Sequence, residues 1–260
     1  MTSQNPVSPT RSGQHERSQR IIMRILSYNI HKGIGGRDRR YALRRVIDVI
    51  EAENPDLICL QEVDRNVPRS RHHDQPNLLA DYFQAAAHAF QMNVKLQEGG
   101  YGNLILSRWK FRSKHQISLK LNWRKCRGAQ MVVVETPEGL LHLANVHLGL
   151  SDAERHWQIE HLLAHPRFRE SLDLPTLLVG DWNDWRNKLT HGPLGEHGFT
   201  QATQPLRKFR SFPAYLAIGA LDKAFHRGGL HLRAARIVRT AAAKQASDHL
   251  PLVIDFHLHA

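Results

Sequence analysis

Apolar residues in this chain fall into two spacings, and the spacing changes from segment to segment. Over residues 21–30, and again at Leu57-Ile58-Cys59-Leu60, they cluster for about the length of a buried strand. Leu43, Val46, Ile47 and Ile50 recur instead at helical intervals, which predicts an amphipathic helix over about 40–53, stopped by Asn54-Pro55-Asp56. Pro76 opens a second predicted helix, with Leu79, Tyr82, Phe83, Ala86 and Phe90 on one face. Residues 92–121 read as strands divided by Gly99-Gly100 and by a turn at Ser107-Arg108. Met131–Glu135 and Leu140–Val146 flank Pro137-Glu138-Gly139 as a hairpin. Ser151 and Glu154 form a capping-box pattern opening a helix to about His165. Further strands are expected at 176–180, 221–225, 230–238 and 250–257. Strands outnumber helices, and the helices fall between strand groups. The pattern therefore predicts an α/β fold with two sheets packed face to face and helices on their outer faces.

Composition narrows the setting. The chain has 260 residues, 41% of them hydrophobic, enough to bury a full core. We expect a basic, disordered tail over residues 1–22, rich in Ser, Gln, Pro and Arg, and one domain over 23–260. Lys and Arg exceed Asp and Glu by 12, a field that favours polyanions: nucleic acid, phosphorylated metabolites or an anionic membrane surface. Cys59 and Cys126 are too few for a disulfide framework. The first twenty residues lack the apolar core of a secretory signal, and no run is long and apolar enough to span a membrane. No amphipathic anchor with a Trp/Phe/Leu face is recognisable either. A cytoplasmic protein without stable membrane insertion and without an obligate protein partner is the expectation.

The strand ends carry the chemistry. Four apolar runs finish in polar residues: Ser27-Tyr28-Asn29, Leu60-Gln61-Glu62, Asn145-Val146-His147 and Gly180-Asp181-Trp182-Asn183. A fifth polar group, Ser247-Asp248-His249, precedes a strand. Side chains two apart on a strand share a face, so Asp181 and Asn183 offer a carboxylate and a carboxamide on the same side. Oxygen donors of this kind suit the hard cations Mg²⁺ and Mn²⁺, and histidines beside them suit proton transfer or oxyanion stabilisation. There is no HExxH, P-loop, GxGxxG or GxSxG pattern.

Taken in order, these groups resemble the endonuclease/exonuclease/phosphatase superfamily. The resemblance rests on Ser27-Tyr28-Asn29-Ile30, Leu60-Gln61-Glu62-Val63, Gly102-Asn103-Leu104-Ile105-Leu106-Ser107-Arg108, Asn145-Val146-His147-Leu148, Gly180-Asp181-Trp182-Asn183, Leu221-Asp222 and Ser247-Asp248-His249. It runs from about residue 24 to 257 and implies the DNase I-like four-layer α/β sandwich, two mixed sheets flanked by helices. His31 stands where the repair-nuclease branch usually has an acidic residue, and Asn29-Ile30-His31-Lys32-Gly33 looks more like the small bacterial and sphingomyelinase-like members.

The resemblance also implies roles. Glu62 is the expected principal metal ligand, helped by Asn29 and, from the far side, by Asp248, with Mg²⁺ or Mn²⁺ as cofactor. Asp181 is expected to orient and polarise the attacking water, with Asn183 holding water or phosphate. His249 is expected at the scissile phosphate, its tautomer fixed by Asp222, and His147 is a second phosphate-facing imidazole with Asn145 beside it. Tyr101 and Asn103 are expected to line the substrate cleft. The implied activity is Mg²⁺-dependent phosphodiester hydrolysis, with nucleic acid favoured by charge and a phospholipid head group or soluble phosphate ester as the alternative. A non-catalytic nucleic-acid-binding module is the rival class. It needs no carboxylate-rich floor, because carboxylates repel phosphate unless a metal intervenes.

Basic residues follow the same strand ends. Arg37, Arg39 and Arg40 come after the Asn29 strand, and Arg65, Arg69 and Arg71 after the Glu62 strand. Arg124, Lys125, Arg127, Arg207, Lys208 and Arg210 lie in other expected loops. A cationic rim around a metal-binding floor is the predicted arrangement.

Overall fold

The computed structural model describes residues 21–259. The tail expected over 1–22 lies outside the described residues, save Ile21 and Ile22. The first unit is β1 (Met23–Asn29), α1 (Leu43–Glu53) and β2 (Leu57–Arg65). Parallel strands need a crossover connection, and α1 supplies it between β1 and β2. Leu43, Val46, Ile47 and Ile50 form the buried stripe of α1, and Asn54 ends the helix in a left-handed conformation.

Next come α2 (Gln75–Tyr82), β3 (Ala87–Lys95), β4 (Gly100–Ser107), β5 (Phe111–Ser118), β6 (Gly128–Thr136) and β7 (Gly139–His147). The predicted second helix is shorter than its apolar spacing implies. Gln84, just past its end, takes a φ of 49°, and Phe90 belongs to the edge strand β3. Beyond them lie α3 (Asp152–Ala164), α4 (Pro166–Arg169), β8 (Thr176–Asp181), α5 (Pro193–Glu196), β9 (Thr200–Gln201), β10 (Asp222–Arg227), β11 (Leu230–Ile237), α6 (Ala241–Ala246) and β12 (Leu252–Leu258). Ser151 caps α3 by accepting from the Glu154 amide, as the capping-box pattern requires.

Two six-stranded mixed sheets result, ordered β11-β12-β1-β2-β4-β3 and β5-β6-β7-β8-β10-β9. Each holds one parallel pair at its centre, β1 with β2 and β7 with β8, and antiparallel strands outside it. Alternation along β8 shows how the layers form. Leu177 and Val179 join the core shared with β1 and β2, while Leu178 packs with Ile159, Leu162 and Leu163 of α3. The fold is therefore a four-layer α/β sandwich. Among the described residues, no helix is long and apolar enough to cross a membrane.

At one end of the sandwich the two sheets are joined by carboxamides. Gln61 Nε2 donates to Asn145 Oδ1 (2.7 Å), and Asn145 Nδ2 donates back to the carbonyls of Leu60 (2.9 Å) and Leu104 (3.2 Å). Asn103 Nδ2 donates across to the carbonyl of Gly128 at 3.1 Å. These bonds tie β2 and β4 to β6 and β7, and of the three side chains only Gln61 leaves an atom, Oε1, without a hydrogen-bond partner among the described residues.

Candidate active site

The same end gathers the polar strand termini. Asn29 lies beside Gln61 in the β1–β2 register, His147 beside Asp181 in β7–β8, and Asp222 opposite Asp181 in β8–β10. Gly180 carries a φ of +145°, and a Cβ there would meet the Val146 carbonyl oxygen at 1.9 Å. Only glycine lets β8 approach β7 this closely and deliver Asp181 alongside His147. Glu62 sits in a bulge of β2, between the paired positions Leu60 and Val63, with a φ of 57°. A bulge re-aims a side chain near a strand end, here the carboxylate of Glu62.

Two carboxylates bracket one imidazole. His249 Nδ1 is 2.9 Å from Asp222 Oδ2, and its Nε2 is 3.6 Å from Asp181 Oδ2. Burial alone would depress the imidazole pKa, but the charges of Asp222 and Asp181 outweigh it and push His249 up to about 10. His249 is thus an imidazolium at neutral pH. Burial pushes the Asp181 carboxyl upward, against the pull of the His249 charge. Asn29 Nδ2 donates to Asp181 Oδ2 at 3.0 Å and the Asn183 amide to Oδ1 at 3.1 Å, so the carboxylate is held from both sides. Asn183 Nδ2 is itself fixed by the Leu148 carbonyl at 3.0 Å.

The second imidazole is in the opposite state. His147 Nε2 lies 2.7 Å from Arg127 Nη1 and 3.5 Å from Asp181 Oδ2. A guanidinium can only donate, so Nε2 accepts and the ring is neutral. Burial, reinforced by the Arg127 charge, holds its pKa well below the usual histidine value. One charged and one neutral imidazole therefore flank Asp181.

Glu62 faces Lys32, whose Nζ contacts its carboxylate. Burial disfavours the charged form of Glu62, but the Lys32 ammonium beside it overcomes this and holds the carboxyl far below its ordinary value. The carbonyl of Lys32 accepts from Gln75 Nε2 at 2.8 Å, and the residue has a φ of 63°. Asn29 Oδ1 accepts from the His31 amide, which fixes its oxygen and nitrogen. Asp248 stands apart, its Oδ2 3.8 Å from His31 Nε2. Ser247 Oγ donates to the Asn29 carbonyl (2.7 Å), tying the Asp248 turn to the end of β1.

This donor set fits a hard divalent cation. Mg²⁺ keeps several waters and takes one or two carboxylates plus substrate oxygens, and an ionised Glu62 with the Asn29 carboxamide and the Asp248 carboxylate offers that chemistry. Among the described residues, no group of three His, Cys, Asp or Glu side chains forms a metal cage of its own.

The residues expected to touch substrate divide into two groups. Tyr101 lies beside Glu62's partner, with Lys32 Nζ 5.5 Å, Lys125 Nζ 5.4 Å and Arg69 Cζ 5.1 Å from its ring centre. Asn145 and Asn103 are fully buried beneath the floor, their amides committed to the ties between sheets. Lys32 and the internal role of Arg127 escaped the sequence reading. Lys32 lies inside the Asn29-Ile30-His31-Lys32-Gly33 run, but a single lysine there signals nothing until its partner is known. Phe212, also unforeseen, packs tilted against the His249 ring with 4.8 Å between ring centres and meets Trp185 edge-on at 6.0 Å.

Comparison with known proteins places the fold and the family. The sequence model of the Endonuclease/Exonuclease/phosphatase family matches residues 26–249. YbhP of Escherichia coli strain K12, an uncharacterized protein, is 28% identical over 259 residues, covering 94% of this chain and 99% of YbhP. Among solved structures, an endonuclease/exonuclease/phosphatase from Beutenbergia cavernae superposes with a TM-score of 0.76 at 21% identity, covering 93% of this chain and 72% of that one. The human Nocturnin catalytic domain with bound sulfate superposes at 0.69 and 21% identity, covering 95% of this chain and all of that one, 100%. These superpositions carry the fold, and the family match spans most of the folded chain. This protein belongs to the endonuclease/exonuclease/phosphatase family, a family of hydrolytic phosphoesterases.

Proposed function

We propose that the chain is a Mg²⁺- or Mn²⁺-dependent phosphodiesterase in which water, oriented by Asp181, attacks phosphorus in line with the leaving oxygen. The observation that carries this reading is the His249 ring held between Asp222 and Asp181, with Asn29 linking Asp181 to the end of β2 that carries Glu62. A carboxyl raised by burial is a better base toward water than an ordinary aspartate, and Asn29 and Asn183 fix its direction. At 3.6 Å the Nε2 proton of His249 is too far from Asp181 for a hydrogen bond, which leaves it for a phosphate oxygen. Asp222 acts through His249, holding its Nδ1 proton in place. Neutral His147 accepts from Arg127 at Nε2, so the donor it offers phosphate is its Nδ1–H. Tyr101 lines the cleft, while Asn145 and Asn103 hold its floor from below. Glu62, with Asn29 and Asp248, would hold the cation, which neutralises phosphate oxygens and stabilises the leaving alkoxide.

By charge the substrate is a polyanion: nucleic acid is the expectation from the net +12, and a phospholipid head group or soluble phosphate ester is the alternative. The test is hydrolysis of bis-p-nitrophenyl phosphate alongside plasmid, oligonucleotide, phospholipid and inositol phosphate substrates, with Mg²⁺ and with EDTA. Turnover that needs the cation and collapses in Asp181→Asn is expected. Full turnover in excess EDTA overturns the reading.

A further inference from the structure

Apart from Ile22, the large apolar side chains more than half exposed among the described residues are Trp123 (90%), Leu150 (74%), Trp185, Tyr215, Leu216 and Ile218. They come from four separate loops, yet strand register brings those loops to one place. The loop before Gly128 carries Trp123, and Gly128 pairs with His147. Leu150 follows His147, Trp185 follows Asp181, and the 211–221 segment runs into Asp222. His147, Asp181 and Asp222 are neighbours in the sheet, so the four loops lie around the candidate active site, and Trp185 reaches His249 through Phe212.

The charges on these loops have one sign. Lys120, Arg124 and Lys125 flank Trp123, and Arg186 follows Trp185. Arg37 and Lys244 share a surface depression with Tyr215, and the one acid there, Asp38, is paired with Arg45. The only acid in the four loops, Asp184, is buried against Lys223. Exposed apolar area concentrated in this way marks a contact surface, and tryptophan, tyrosine and aliphatic tips ringed by Lys and Arg fit the boundary of an anionic bilayer. Nucleic acid fits less well: bases stack on flat rings, and Leu150, Leu216 and Ile218 offer none.

We propose that this end of the molecule docks on an anionic phospholipid surface, with the apolar loop tips entering the head-group boundary and the cations holding the anionic lipids. Docking presents the cleft to head-group phosphates. That the cleft then hydrolyses such a phosphodiester rests on the hydrolase reading above; the docking does not.

The experiment is co-sedimentation of the full chain with phosphatidylglycerol–phosphatidylcholine vesicles, beside turnover of bis-p-nitrophenyl phosphate in solution. The wild-type protein should partition onto the vesicles, less so as salt rises. Leu216→Glu/Ile218→Glu should lower partition by about tenfold or more, and Trp123→Ser, on a different loop, should lower it too. Both variants should keep wild-type turnover of the soluble diester, which reports an intact fold. A wild-type protein that stays in the supernatant at low salt overturns the proposal. So do variants that partition like the wild type, or that lose oligonucleotide binding while keeping vesicle binding. A protein that partitions as expected yet leaves the soluble diester intact with Mg²⁺ supports docking and overturns the hydrolase reading alone.

Discussion

His249 donates from Nδ1 to Asp222 Oδ2 across 2.9 Å, with both side chains buried, and the other oxygen of that carboxylate has no hydrogen-bond partner among the described residues. Among the described residues, His249 is the one group that donates a hydrogen bond to that carboxylate.

If Asp222 works only through His249, the two substitutions should not add. General acid–base participation is typically worth ~10²–10⁴ in rate, so His249→Ala should lower kcat in that range while the fold survives. Adding Asp222→Asn to that protein should cost little more. Single-turnover rates of the two single variants and the double variant check this. Fully additive losses would reassign Asp222 to structure.

Glu62 and Lys32 give a second prediction. An ammonium and a divalent cation compete for one carboxylate, so the contact between them sets an affinity as well as a charge balance. Glu62→Gln should weaken Mn²⁺ binding and turnover together. Lys32→Met should tighten Mn²⁺ binding by ~10-fold, equivalent to about 1.4 kcal/mol, as measured by calorimetry without substrate. Unchanged Mn²⁺ affinity in Lys32→Met would show that the cation binds elsewhere.

The rim charges should act on capture. Arg37, Arg39 and Arg40 are exposed on the loop after β1, and that loop packs closely on Asp248, since a Cβ on Gly36 would lie 2.6 Å from the Asp248 Cα. Reversing all three to Glu should raise KM and flatten the salt dependence of kcat/KM, with kcat comparatively intact. Steady-state kinetics across a salt series decides it, and a loss confined to kcat would contradict a capture role.

Part of this was legible in the chain because an apolar run that ends in Asn, Glu, His or Asp announces a strand with a polar tip. Asn29, Glu62, His147 and Asp181 stand out for that reason, whereas His249 comes from the polar group that precedes β12 and Asp222 from the family resemblance. Less could be said of direction. Asn145 and Asn103 look like further cleft residues, and only the packing of the sheets reveals that their amides face inward. The second helix was read too long because Ala86 and Phe90 continue its spacing by coincidence, whereas no residue type announces the left-handed Gln84. The exposed loop tips were invisible for a related reason: scattered over four loops, they have no period.

A fourth prediction concerns acid stability. His142 on β7 is buried, edge-on to Phe168 at 5.1 Å, and burial, followed by the charge of Arg227, lowers its pKa to about 4. Its folded pKa lies below the unfolded value of about 6.5, so the unfolded chain binds the extra proton between those limits. Its stabilisation is present above pH ~6.5 and is lost as pH falls toward about 4, on the order of 3 kcal/mol in all. Relative to the wild type, His142→Leu should therefore gain stability as pH drops through this window. Urea midpoints at several pH values check it, and a stability difference independent of pH would refute it.

The carboxamide ties between the sheets have a consequence for how loss of function would proceed. Asn29 and Glu62 belong to one sheet, and His147, Asp181 and Asp222 to the other, so the proposed chemistry requires the two sheets to stay in register. Catalysis is then a gauge of sheet docking. A slip of about an ångström between the layers would silence the enzyme while every strand, and the circular dichroism that reports it, stayed as it was.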